Sequence, residues 1–529
     1  MKLYKKIILS IAAAGLTSFC FADDWEYEEQ TEPTVTIGGL VEMNARAYVD
    51  QRDAKDDALD VEDWQTVAFP KGKLNLNYSG ISSDVNLSLK FDKTSLYDGF
   101  YWDILDEFTA RAYVGNAQLE AGKMRVVWGK GDKVHVLDNF NANDYTDYII
   151  PDYIDRRISE PMFRAVYSTN NNVKFEAVYT PMMTPDRLAG SGIWQPKASK
   201  ALTSTVEGMV KEQLATSLGA VIGDPTNDAA LESLFAALQF DADSLYPDTN
   251  RLQYGQVGAR STFTVGPVDL GVSYYLGREK TPTANVQSIF DATAAGEMLD
   301  IATQMEANSL LPTGTVASIS PLLSSYKAGL PELDYEVIQV FGFEGATVLF
   351  GRLNSRWEVA YNLTKDIAGD DPWVHNNSIA WVAGFDVDLP IHNINVNIQN
   401  NGKYILNNNK IGDAEFSPFA GINPLLAASF KASYEEYDVD YDPNGIYTNN
   451  KLIVNISDTW NHEKIKLDLK GIWGIERGDV IVMPNLAFNI KDDFQLNLSG
   501  LFIWCKNEDS EFDGWEHNSF AQVGVKYTF

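Results

Sequence analysis

Cysteine is almost absent from the chain: Cys20 and Cys505 are the only two in 529 residues, which leaves no disulfide framework to build a fold on. Histidine is nearly as scarce. His135, His375, His392, His462 and His517 form no His-x-x-Glu-His or Glu-x-x-His pair, so metal-dependent hydrolysis lacks its ligand set. There is no Gly-x-Ser-x-Gly elbow and no phosphate-binding loop, which removes the commonest signatures of nucleophilic and phosphoryl chemistry. Positive charge is also short. Lys and Arg number 42 against 73 Asp and Glu, a formal charge of −31, and nucleic-acid binding needs the opposite footprint. Finally, no apolar run beyond the N-terminal segment approaches the about 20 residues of a membrane helix.

What the chain has instead is alternation. Leu74-Asn-Leu76-Asn-Tyr78, Val85-Asn-Leu87-Ser-Leu89-Lys-Phe91, Ile394-Asn-Val396-Asn-Ile398, Ile465-Lys-Leu467-Asp-Leu469 and Phe494-Gln-Leu496-Asn-Leu498 place apolar and polar residues on opposite faces of strands. A water-filled membrane barrel demands this pattern, with the apolar face toward lipid. The composition agrees: 45% hydrophobic, 12% aromatic and a mean hydropathy of −0.21. Trp357, Tyr361 and Trp473 stand at strand ends as candidate interface residues.

The two termini point the same way. Lys2, Lys5 and Lys6 precede an apolar run from Ile7 to Ala14, and acidic sequence begins at Asp23; residues 1–22 read as a secretory signal peptide cleaved after Ala22. Its removal takes the charge from −31 to −34 and leaves Cys505 alone. The chain ends Val523-Gly-Val525-Lys-Tyr527-Thr-Phe529, with Val523, Val525, Tyr527 and Phe529 on one face. This resembles the closing strand of Gram-negative outer-membrane barrels, in which a terminal aromatic is read by the barrel-assembly machinery; Tyr527 and Phe529 would carry that signal here.

The expectation is an all-β protein, a transmembrane antiparallel up-and-down β-barrel over 34–529 after a short segment 23–33. Alternating segments count to 19, with the parity breaking between about 400 and 450. Closure of an antiparallel barrel requires an even number, which gives about 18 strands, with 16 as the alternative. Tight turns at Gly115-Asn116, Asn170-Asn171 and Gly266-Pro267 put the long connections 128–160, 181–250 and 281–333 together at the outer end. Helices are expected inside two of them. Leu202, Val206, Met209, Leu214 and Leu218, then Leu231, Leu234, Phe235 and Leu238, recur at helical spacing within 181–250, and 286–306, within 281–333, is also helix-like. They would cover the barrel mouth or plug its lumen. Acidic stretches at Asp50–Asp63 and Glu508–Asp513 read as solvated loops, or as surfaces that concentrate cations.

Segment 122–167 carries the densest mixture of signals: Trp128-Gly129, then Asp138, Asn141 and Asp144, then Arg156, Arg157 and Arg164. It resembles a family of outer-membrane barrels classed as a domain of unknown function, in which Trp-Gly ends a strand, an Asp-x-x-Asn-Pro-x-Asp loop follows and an Arg precedes the next strand. Ala142 stands here in place of the Pro. The resemblance implies a channel or transporter and names no solute. In physical terms Arg125, Arg156, Arg157 and Arg164 can pair with Asp132, Asp138, Asp144 and Asp155, either latching the segment or forming a constriction with opposed charges. One metal pattern occurs. Asp440-Tyr-Asp442-Pro-Asn444-Gly445 matches the start of a calcium loop, but position twelve is Lys451 where a glutamate would stand; an Asp/Asn/Gly-rich turn is the alternative.

The functional expectation is a passive channel or facilitated transporter for small solutes, with outer-membrane lipids and the assembly machinery as partners and, apart from that calcium pattern, no cofactor. A surface barrel whose outer loops bind host or matrix molecules is the alternative, and a lipid-active barrel enzyme a weaker one.

Overall fold

The computed structural model describes residues 33–50, 65–218, 229, 233, 245–325, 330–413, 415–417, 432–433, 435–491, 493–507 and 509–529. The expected signal peptide, residues 51–63 of the first acidic stretch, Glu508 and the apolar spacing at 231–238 lie outside them. Eighteen strands form one sheet that closes on itself. In chain order they are β1 Thr34–Tyr48, β2 Gln65–Ser79, β3 Ser83–Phe91, β4 Leu105–Val114, β5 Ala117–Met124, β6 Glu160–Ser168, β7 Lys174–Thr180, β8 Gln256–Val265 and β9 Val268–Arg278. The second half comprises β10 Val337–Leu349, β11 Leu353–Leu363, β12 Ser378–Asp388, β13 Asn395–Ile405, β14 Lys451–Trp460, β15 Ile465–Gly474, β16 Val480–Lys491, β17 Phe494–Trp504 and β18 Phe520–Thr528. Each strand pairs antiparallel with its sequence neighbours, and β18 pairs with β1 from Leu40↔Thr528 to Tyr48↔Phe520. All edges are thereby satisfied.

Period-two sequence dictates the two surfaces. Val35, Ile37, Phe163, Phe343, Val523 and Val525 stand exposed on the outer wall, while their neighbours Arg164, Glu344, Gln522 and Gly524 face inward. The nineteenth alternating segment is accounted for by the connection 406–450. There, described pieces at Glu415–Phe416 and Ala432–Ser433 pair only with each other, outside the barrel ladder. The turns at Gly115, Asn170 and Gly266 lie at the end where β18 finishes, and the long connections lie at the opposite end, where only 475–479 is short.

Among the described residues three helices longer than one turn lie in the long connections: α1 Lys197–Leu218, α2 Gln287–Ala307 and α3 Thr315–Leu323. The α2–α3 pair packs through Ala295, Leu323, Met298, Leu299 and Ile319, and Phe290 of α2 meets Tyr437 edge-on at 4.5 Å. Helices α2 and α3 therefore rest on one another, and α2 on the 406–450 connection. What enters the lumen is the irregular segment 125–159, together with residues around Trp194. The inward face is accordingly apolar in its outer band, contrary to the uniformly polar lumen that alternation suggests. Ile481, Leu501, Ile503 and Phe520 bury Tyr148 and Trp194, and Val178, Tyr275 and Val340 bury Trp128, Leu137 and Phe140.

Candidate functional site

Segment 125–159 leaves β5 and re-enters the wall at β6, yet its tip reaches much further round. Glu358 on β11, a third of the circumference away, accepts the Gly131 N–H at 2.6 Å and the Val136 N–H at 2.9 Å, and meets His135 Nδ1 at 2.8 Å. Beyond it, Asn397 on β13 donates to Asp132 at 2.6 Å, and Arg356 of β11 pairs with the same carboxylate. On the other side Arg46 of β1 holds Asp147 at 2.6 and 2.9 Å. The segment thus bridges the lumen.

Its sequence explains why it can stay ordered with little secondary structure, a helical turn at Tyr153–Arg156 and a two-residue strand at Asp144–Tyr145. Asn141, 1% exposed, accepts the Val126 N–H at 2.9 Å and donates to the carbonyls of Met124 and Ile158 at 3.1 and 2.9 Å. One amide side chain therefore replaces strand pairing at the root of the segment. Asp138 pairs with Arg157 at 2.8 Å and accepts the Tyr153 hydroxyl, all three well inside the protein. Asp144 caps Thr146 and binds Arg187 at 2.9 Å. Trp128, 1% exposed, packs edge-on against Phe140 at 5.0 Å and donates to Glu176 at 3.0 Å.

Most of the expected Arg–Asp pairs within the segment are replaced by other partners. Only Arg157–Asp138 forms as anticipated. Arg125 binds Asp106 and Glu107 of β4, and Arg156 donates to the Ile149 carbonyl at 3.3 Å and lies over Tyr145. Arg164 does not precede the next strand but sits within β6, joining Glu120 at 2.8 Å and Glu176 at 2.7 Å. Arg164 belongs to a second feature, an alternating charge ladder around the wall: Asp84, Arg111, Glu120, Arg164, Glu176, Arg260 and Glu344, one each from β3 to β8 and from β10. Gly271 occupies the matching place on β9, where a Cβ would stand 2.5 Å from Glu344 Oε1. Glycine there lets Glu344 reach Arg260.

The hydrated edge of the inserted segment carries different residues. Asp152 and Asp155, 76% and 54% exposed, face Lys470 of β15 at 3.5 Å and Lys71 of β2 at 3.4 Å. Of these four the sequence singles out only Asp155, and there as a partner for arginines of its own segment. Charged residues at inward parity positions of otherwise apolar strands, such as Glu344 after Phe343 or Glu358 after Trp357, were the available signal for the wall partners.

At the outer end, the carboxylates of the calcium-like turn hold separate partners. Asp440 accepts from His375 at 2.8 Å and from the Asn376 N–H at 2.6 Å, while Asp442 binds Arg477 and caps Asn444 and Ile446. Burial alone would raise the Asp440 pKa; the His375 contact and the Asn376 N–H outweigh it and hold the carboxyl below its ordinary value. Among the described residues no cluster of three or more His, Cys, Asp or Glu side chains is placed to hold a metal. At the other end of the barrel, Phe529 exchanges backbone hydrogen bonds with Gly39 at 2.9 and 3.0 Å, and Tyr527 pairs with Val41 on the lipid-type face.

The fold and site define a closed 18-stranded antiparallel barrel bridged by an internal segment. The chain belongs to the DUF1302 family of proteins of unknown function, whose model matches residues 21–387. No curated protein matches it. Among solved structures it is similar to OccK11 (OpdR) of Pseudomonas aeruginosa, at 6% identity over 94% of this chain and 96% of that one, with a TM-score of 0.41. A BenF-like porin from Pseudomonas fluorescens Pf-5 gives 6%, 94%, 98% and 0.42 in the same order. Wzi of Escherichia coli, a carbohydrate-binding barrel involved in group 1 capsule assembly, gives 11%, 93%, 84% and 0.40.

Proposed function

We propose that this protein is an outer-membrane channel of a diderm bacterium that passes small polar solutes by passive diffusion, without enzymatic chemistry. The observation that carries the reading is the exposed edge where Asp152 and Asp155 oppose Lys470 and Lys71 across the gap between inserted segment and wall. Solvated ion pairs of this kind are worth about 0–1 kcal/mol, so the edge can part to admit a solute. Opposed charges at close quarters also impose a field across the path. The buried pair Asp138–Arg157 and the half-buried pair Asp144–Arg187 act differently: they hold the segment in place. Tyr527 and Phe529 supply the terminal strand that the assembly machinery reads, and lipid covers the apolar outer wall.

Planar-bilayer recording on purified, heat-modifiable protein tests the channel directly. Discrete conductance steps are expected. A barrel that carries no current, even when residues 144–156 are replaced by a short glycine-serine linker, would sink the channel reading.

A further inference from the structure

The furthest-reaching part of the inserted segment, Gly131 and Asp132, closes a cavity of about 10 Å³ against β11, β12 and β13, room for about one water-sized body. Gly384 of β12 helps to keep it open, since a Cβ there would lie 2.8 Å from Gln399 Cγ.

The hydrogen bonds around this cavity have only one possible direction. Asp132, as a carboxylate, can only accept, so Asn397 must present its NH₂ group to it, at 2.6 Å. The remaining oxygen of Asn397 then accepts from Gln399 Nε2 at 2.8 Å. Turning either amide over would set two acceptors or two donors face to face. The chain therefore ends on Gln399 Oε1, a carbonyl oxygen that has no hydrogen-bond partner although Gln399 is 1% exposed.

Asp386 lines the same cavity. It accepts from Asn354 at 3.3 Å and Asn395 at 2.8 Å, and among the described residues no basic side chain pairs with it. The two carboxylates face a single guanidinium, that of Arg356, and one negative charge is left uncompensated. Two carboxylates against one guanidinium, beside the buried and unpaired Gln399 Oε1, call for a positive oxygen-seeking occupant.

We propose that this cavity binds a hard cation of calcium's class through Asp132, Asp386 and Gln399 Oε1, and that the ion fastens the tip of the inserted segment to the far wall. Such ions take carboxylate and amide oxygens together and complete their shell with water. The site is separate from the Asp440–Asn444 turn, whose carboxylates already hold His375 and Arg477.

Calcium itself is the probe. Full-length protein in detergent, stripped with EDTA, is titrated with CaCl₂ by calorimetry, and its unfolding temperature is followed in parallel. The wild type is expected to give a saturable single-site isotherm and a higher unfolding temperature. Asp386→Asn, which keeps size and shape, and Gln399→Leu, which removes the carbonyl, should lose both responses, whereas Asp442→Asn should keep them. Heat-modifiable migration verifies that each variant has assembled, and either cavity variant suffices if the other fails. No response in the wild type, as a trapped water would give, overturns the proposal. So does an Asp386→Asn or Gln399→Leu protein that binds calcium like wild type, or loss of binding in Asp442→Asn. None of these readouts depends on conduction.

Discussion

Gly129 of the inserted segment and Glu358 of β11 fit together in a way that admits no larger residue at position 129: a Cβ there would stand 2.2 Å from Glu358 Oε1. The backbone at Gly129 has φ +113°, a conformation that L side chains avoid. Trp128-Gly129 is therefore one device, in which the indole anchors to Glu176 while the glycine lets the chain pass beneath Glu358.

Gly129→Ala should consequently displace the segment. Backbone strain alone is worth about 1–3 kcal/mol, and the clash adds to it. A lower unfolding temperature is expected, with Glu358→Ala producing a similar loss by leaving the Gly131 and Val136 N–H groups without their acceptor. In bilayers both variants should gate noisily; traces as quiet as wild type would mean that Glu358 does not govern the segment.

Selectivity should follow the exposed rim. Lys71→Gln with Lys470→Gln is expected to move the reversal potential in a salt gradient toward cation preference, and Asp152→Asn with Asp155→Asn toward anion preference, since fixed charge acts at short range in a narrow path. Reversal potentials that stay at the wild-type value in both pairs would place the solute path elsewhere.

Arg157→Ala should behave in the opposite manner. It leaves Asp138 as a buried carboxylate without its cation, a change of about 3–5 kcal/mol in stability. The unfolding temperature should fall steeply while the reversal potential of assembled protein stays unchanged. A large selectivity change at intact stability would return Asp138 and Arg157 to the solute path.

Acid should loosen the outer loops around His375. The Asp440 pKa is depressed below its ordinary 3.8, so its contribution is fully present above that value and is lost as pH falls through the lower folded value. Hydrogen exchange at the Asn376 amide should thus remain slow from neutral pH to about pH 4 and quicken below it. Asp440→Asn should exchange fast at every pH, and a wild-type transition well above pH 4 would remove Asp440 from control of this amide.

Assembly should be sensitive to Phe529. Phe529 extends the β18–β1 ladder by two backbone hydrogen bonds to Gly39, so deleting it should reduce the heat-modifiable fraction in outer-membrane preparations. Equal assembly with and without Phe529 would remove it from the sorting signal.

Sequence alone determines the wall of this protein. Strand faces follow from period two, as at Val523, Val525 and Tyr527; turn positions follow from Gly115, Asn170 and Gly266; and the even strand number follows from closure, which leaves no place in the wall for the nineteenth alternating segment. These are local or topological constraints, legible in a few neighbouring residues. The interior was decided by tertiary structure. Segment 125–159 has no periodicity, and Arg–Asp pairing within it was the natural local guess; yet Asp132, Asp147 and Asp155 find Arg356, Arg46 and Lys71 on strands distant in sequence. The physical reason is reach. Closing the sheet brings opposite walls within a loop's length of each other, and a long charged side chain then pairs with whichever partner lies across the lumen.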